Sequence, residues 1–368
     1  MIHLSFKQTI VLASFIILTF SCNKEKEQST DQTIAEETTS LKTVADFPVG
    51  AAISIRNIQR DSLAENILNQ QFNSITATND MKMHSVLNED GEFNWERVDK
   101  LVKFSEANNH RLFGHTLVWH SATPKWVETQ TQGDPAKLDA FMKNYIQTIV
   151  GKYKGKVTGW DVVNEVMNTN GGGYRETYWY NTMGIDYVAK AFQYAHEADP
   201  DVDLFYNDFN IERDTAKLHG ALKMIEDLKA NNIPITGLGF QMHIRMDIPD
   251  SLIAYALKKG VETGLKIHLS EVDIIFNKHG DSQGGGIQVY DTITDEMLEQ
   301  QKEKYRNLVE MYKSIVPKEQ QYGITLWGFN DRDTWINGFF NLEDKPCIYD
   351  ENLETKPAYY GMLEGLND

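Results

Sequence analysis

A single (β/α)8 TIM barrel, of the α/β class, is the fold this sequence predicts. From about residue 47, eight short apolar runs rich in Val, Ile and Leu alternate with longer stretches of helical periodicity, roughly one run every 30 to 50 residues. The runs are apolar almost throughout, as strands of a parallel sheet covered on both faces must be. Roughly 320 residues follow the first forty or so, the size of one barrel. No Gly-rich phosphate loop follows the first run, which weighs against an open dinucleotide-binding sheet.

The elements follow in order. Strand one is read over 51–55 and strand two over 74–78, both short and β-branched. A helix over 99–108 leads to strand three, 111–119. Asp134-Pro135 is an ordinary helix start and opens a helix over 135–152 before strand four, 157–164. The helix over 185–198 stops at Asp199-Pro200, ahead of strand five, 202–206. Helix 214–231, strand six (236–242), helix 252–263, strand seven (266–271), helix 295–315 and strand eight (323–329) complete the pattern. Gly171-Gly172-Gly173 and Gly284-Gly285-Gly286 fall after strands four and seven, where either loop flexibility or a substrate role fits.

The first 44 residues read as address rather than fold. Lys7 precedes the apolar stretch 10–20 (IVLASFIILTF), too short for a membrane span and suited to a secretory signal. Cys22 then resembles the acylated first residue of bacterial lipoproteins, although Phe20 stands where such boxes hold a small residue. The expected division is a signal over 1–22, a polar flexible tether over 23–44 and a catalytic barrel over 45–368. The expected location is the outer membrane or cell surface, with plain secretion as the alternative. Membrane contact is expected only through a lipid at Cys22. Cys347 is the other cysteine, so an acylated Cys22 leaves no intramolecular disulfide. A net charge of -17 excludes nucleic acid as a partner, because phosphates are repelled, while a neutral polymer is not. A monomer is expected.

Reactive and aromatic residues collect where strands end. Strand two is followed by Asn79 and Lys82, and strand three carries His115 and Trp119 with His120 beyond. Strand four ends in Asn164 and Glu165, and strand five is followed by Asn207, Asp208 and Asn210. Strand six gives Gln241 and His243, strand seven Glu271 and Asp273, and strand eight Trp327, with Trp335 in the next loop. Any one of these could be a core or surface residue, but packing alone asks a barrel for Val, Ile and Leu. Glu165 and Glu271 close their strands, and two carboxylates in one crevice are the minimal equipment for breaking a glycosidic bond.

The chain resembles glycoside hydrolase family 10, the endo-β-1,4-xylanases. The matching stretches are 114–120 (GHTLVWH), 160–165 (WDVVNE), 206–210 (YNDFN), 237–243 (GLGFQMH), 270–274 (SEVDI), 325–328 (TLWG) and 349–359 (YDENLETKPAY), in family order. The resemblance implies xylan or xylo-oligosaccharides as substrate, a retaining double displacement, and no cofactor or metal. It assigns Glu271 as nucleophile and Glu165 as acid and then base. It further implies a chain from Asp273 through His243 to Glu271, tuning of Glu165 by Gln241 and Asp208, and a sugar 2-hydroxyl contact at Asn164. Asn79 and Lys82, His115 and Trp119, and Trp327 and Trp335 match walls of the sugar site.

Two positions depart from the family. It reads Glu-Asn-x-x-Lys-Trp where this chain has Thr78-Asn79-Asp80-Met81-Lys82-Met83, and Gln near the position of Ala122. By resemblance those longer side chains bond the sugar one place away from the scissile bond on the glycone side. Each lost hydrogen bond is worth roughly 0.5–1.5 kcal/mol. A reshaped second glycone subsite, admitting a decorated backbone sugar, is therefore expected, unless neighbouring loops compensate. A non-catalytic glycan binder on the same scaffold is the rival from another class; it has no use for a nucleophile.

Overall fold

The computed structural model describes residues 39–279 and 285–367. Eight parallel strands close into a barrel: β1 Val49–Ile53, β2 Ser74–Ala77, β3 Arg111–Val118, β4 Gly159–Asn164, β5 Asp203–Asp208, β6 Gly237–Phe240, β7 Lys266–Ile275 and β8 Gln321–Leu326. Each pairs with its sequence neighbour, and β8 returns to β1 with Val49 opposite Ile324. That is the predicted (β/α)8 barrel.

Several boundaries differ from expectation, each for a physical reason. β1 begins two residues early, where Val49 pairs with Ile324, and ends two residues early, because Ser54 starts the helical turn Ile55–Ile58 and takes Ile55 with it. β5 runs on through Asn207 and Asp208, whose polarity suggested a loop; both are fully buried inside the barrel. β7 does not end at Glu271. It continues to Ile275 by pairing with a short strand, His243–Arg245, which sets His243 opposite Asp273.

The six expected helices are present, Pro135–Lys152 with the expected bounds and Asp134 accepting from the backbone of Ala136 and Lys137. Ser62–Gln71, between β1 and β2, was not foreseen. It is capped by Asp61 and buries Ala64, Ile67 and Leu68, an apolar stripe too narrow to stand out among Asn and Gln. The last residues assigned to the expected tether belong to the fold instead. Residues 41–44 form a helical turn, Leu41 is fully buried, and its backbone bonds Gln71. Cys22 and the stretches expected to be a signal and most of a tether lie outside the described residues.

Near the strand starts, Phe113, Phe205 and Tyr322 fill the barrel with His268. Gly237 leaves the space they need, since a Cβ there would lie 2.1 Å from the Phe205 ring. The opposite end of the barrel is open, and the strand-end residues gather there.

Candidate active site

A crevice of about 680 Å³ crosses the carboxyl ends of the strands. Asn79, Lys82, His115, Trp119, Asn164, Glu165, Gln241, His243, Glu271, Trp327 and Trp335 all line it. Asp208 and Asp273 lie behind this lining, buried against it. His120, named for its position after strand three, does not reach it.

Glu165 sits one residue past β4 with its backbone in the left-handed region, φ 59°. Two bonds hold that turn: its N–H donates to the Asn207 carbonyl (2.9 Å), and Arg175 Nε donates to its own carbonyl (3.2 Å). Such a conformation costs on the order of 1–3 kcal/mol in a non-glycine residue and persists only where surroundings impose it. Its Oε1 accepts from Gln241 Nε2 and Asn164 Nδ2, both at 3.4 Å. Burial raises its pKa above the usual carboxylate range, and the charge on Asp208 adds to that.

Glu271 is as buried but differently partnered. Asn207 Nδ2 donates to its Oε1 at 2.7 Å, and His243 Nε2 lies 3.3 Å from its Oε2. His243 Nδ1 is 2.9 Å from Asp273 Oδ2, which also accepts from Trp335 Nε1 at 2.9 Å. Burial opposes a charged imidazole, yet Asp273 and Glu271 outweigh it and push His243 up to about 10. Burial would likewise raise Glu271, but His115, His243 and Asn207 hold it below the ordinary carboxylate value.

The crevice floor is cationic and aromatic. Lys82 Nζ donates to Asn79 Oδ1 (3.0 Å) and lies 4.8 Å from the Trp119 ring centre. Burial lowers its pKa to about 8, against the pull of Glu271 and Glu165. His115 packs edge-on to Trp327, ring centres 5.1 Å apart.

Sequence reasoning missed several contributors. Asp161 is a packed residue of β4 whose Oδ2 lies 2.8 Å from His115 Nδ1; its alternation into the barrel was the available signal. Together with Glu271 these groups offer ligand atoms within 4.8 Å, but the hydrogen-bonded contacts already engage them. Asn207 was noted by position, yet its bridging of Asn164 (3.0 Å) and Glu271 appears only in three dimensions. Thr78 does border the crevice, its hydroxyl donating to the Ile53 carbonyl at 3.2 Å. Ala122 does not. It is buried, and His84, which lines the crevice, takes its backbone as a hydrogen-bond partner.

Comparison with known proteins agrees with this geometry. The profile of Glycosyl hydrolase family 10 matches residues 39–365. Endo-1,4-beta-xylanase C of Paenibacillus barcinonensis is 38% identical over 339 residues, an alignment covering 86% of this chain and 30% of that protein. The chain thus spans less than a third of that relative's length. A beta-1,4-xylanase of Dictyoglomus thermophilum is 35% identical over 368 residues, with 97% and 98% covered. Among solved structures, a mutant of xylanase 10C from Cellvibrio japonicus in complex with xylopentaose superposes with a TM-score of 0.83 at 34% identity, covering 89% of this chain and 69% of that one.

Proposed function

The chain belongs to glycosyl hydrolase family 10, and on that premise we propose that it hydrolyses β-1,4-xylosidic linkages within xylan by a retaining double displacement. One observation carries the reading: two buried carboxyl groups share a crevice, burial and Asp208 raising Glu165 while His115, His243 and Asn207 hold Glu271 below the ordinary value, so that their affinities for a proton are pushed apart. Glu271, ionised, attacks the anomeric carbon and displaces the leaving oxygen as Glu165 protonates it. Glu165, now a carboxylate, takes a proton from water, which attacks the same carbon and releases Glu271. Asn164 lines the crevice beside Glu165 and is the residue that, by resemblance to the family, bonds the sugar 2-hydroxyl. The Trp119, Trp327 and Trp335 rings suit the apolar faces of pyranoses.

The finer reading concerns the crevice end over β8, β1 and β2. Ser54, Asn57, Thr78, Asn330 and Asp333 line it, and Thr78 is shorter than the glutamate the family places there. That end admits a backbone sugar carrying a branch. The chain acts as a monomer, exported and anchored at the cell surface through Cys22.

The test is product analysis by mass spectrometry and proton NMR, with protein lacking residues 1–38 and linear xylan, glucuronoxylan and arabinoxylan in parallel. The expected result is short oligosaccharides appearing first as the β-anomer, with a branched polymer preferred. First products in the α form would overturn the retaining mechanism, and cleavage of none of the three would overturn the activity.

A further inference from the structure

One fully buried lysine is unused by the mechanism above. Lys217, on the helix Thr215–Ala230 after β5, is 0% exposed, and its Nζ lies 2.8 Å from Asp208 Oδ1, itself 0% exposed. Among the described residues the ammonium has no hydrogen-bond partner beyond that ion pair, and it sits 3.6 Å from the ring centre of Phe209, which lines the crevice. A lysine so placed loses its hydration for one contact, a costly arrangement unless the contact does something.

Asp208 connects that cation to Glu165. Its carboxylate accepts from the backbone N–H of Phe209 (2.9 Å) and of Met167 (3.3 Å), and from the Tyr206 hydroxyl. Met167 is two residues beyond Glu165, so Asp208 pins the turn carrying the acid while placing a negative charge behind it. We propose that Lys217 is a positioning residue that keeps Asp208 ionised, and that ionised Asp208 in turn keeps Glu165 protonated for attack on the leaving oxygen.

The sign follows from the neighbours. Glu165 faces Asp208 from β5, Arg175 from the loop after β4, Lys217 from the helix and Lys82 from the loop after β2, with Asp208 the strongest of these charges. Lys217 also faces Glu212 and Asp214 from the loop after β5, and His120 beyond β3. Burial lowers His120 to about 4, so it offers Asp208 no replacement cation at neutral pH, and Glu212, a carboxyl group that burial raises to about 7, offers none in either form. Tyr187, on the neighbouring helix Asp186–Ala198, stays neutral. Without Lys217, the Asp208 carboxylate loses its one ion pair among the described residues, and burial of a charge left that way favours its neutral form. Both charges then vanish, and since Asp208 acts on Glu165 more strongly than Lys217 does, Glu165 becomes more acidic.

The inference rests on the proposed hydrolase reading. Its test compares kcat/KM for xylopentaose, whose poor leaving group needs protonation, with that for 2,4-dinitrophenyl β-xylobioside, whose leaving group does not. Lys217→Met should shift the alkaline limb of the xylopentaose profile to lower pH and lose about tenfold at pH 7. It should hold the dinitrophenyl substrate within about twofold. Lys217→Arg should restore the wild-type limb. Lys217→Met combined with Asp208→Asn buries a neutral pair, which folds where the single change does not, and should show the same displaced limb. An unmoved limb in either variant, or equal losses on both substrates, overturns the proposal. A wild-type chain inactive on both substrates overturns it together with the hydrolase reading.

Discussion

Glu165 and Glu271 are the same side chain, 7% and 4% exposed, on the same crevice, and their surroundings oppose each other. Around Glu271 stand an imidazole pair and an amide: His115, His243 and Asn207. Around Glu165 stand a carboxylate, Asp208, and two cations bonded elsewhere than to its carboxyl group: Arg175, which donates to its backbone carbonyl, and Lys217, paired with Asp208. Burial pushes both carboxyl groups towards neutrality, and only Glu271 has enough donors and positive charge to resist. A barrel end can thus run acid and nucleophile side by side because His115 from β3, Asn207 from β5 and His243 after β6 converge on Glu271, while Asp208, the next residue of β5, lies behind Glu165. Placement of neighbours, rather than depth, assigns the roles.

Removing one region at a time breaks this contrast most severely. Glu271→Ala should lower kcat by about 10⁴-fold or more on every xyloside, whatever its leaving group. Glu165→Ala should cost about 10²–10⁴-fold in kcat/KM on xylopentaose and little on the dinitrophenyl glycoside, because only the first requires a proton donor. Steady-state kinetics on the two substrates checks both, and equal sensitivity of Glu165→Ala to both leaving groups would reverse its assignment.

A smaller change blurs the two environments without removing either carboxyl group. His243→Ala takes away a charged donor and leaves burial unopposed on that side. Glu271 should become less acidic, so the acid limb of kcat/KM moves to higher pH while the alkaline limb, set by Glu165, stays in place. Activity at the optimum should drop about 10- to 100-fold, the worth of a hydrogen bond to a charged group. For the unaltered enzyme, activity needs Glu271 ionised and Glu165 protonated. The profile should rise as pH passes the lowered value of the first and fall as it passes the raised value of the second.

The smallest effect lies away from both carboxyl groups. Thr78→Glu should raise kcat/KM on linear xylo-oligosaccharides several-fold, about one hydrogen bond's worth. Adding Ala122→Gln should bring nothing further, because position 122 is buried and His84 already borders the crevice there. A gain from the second change would place residue 122 in the subsite after all.

The eight strands and both glutamates were legible in the sequence because Val, Ile and Leu dominate barrel interiors, so an Asn, Gln, His or Glu at a strand end stands out. Strand limits were less so. Asn207 and Asp208 look like loop residues, yet they are strand residues whose polarity is satisfied across the barrel. The extension of β7 depends on pairing with His243–Arg245, a contact no local pattern encodes. Lys217 was illegible for a different reason. On the first turn of an amphipathic helix it reads as a solvated lysine, and only the approach of β5 turns it into a buried cation.

Carboxyl ¹³C NMR tests the division of labour most directly. Protein labelled at glutamate Cδ would be titrated between about pH 3 and 9, with Glu165→Gln and Glu271→Gln assigning the two resonances. Glu271 should ionise at the lower pH and Glu165 at the higher, leaving one carboxylate and one carboxylic acid in the window between. The reverse order, or two groups titrating together near the ordinary value, would contradict the opposed environments from which the mechanism is drawn.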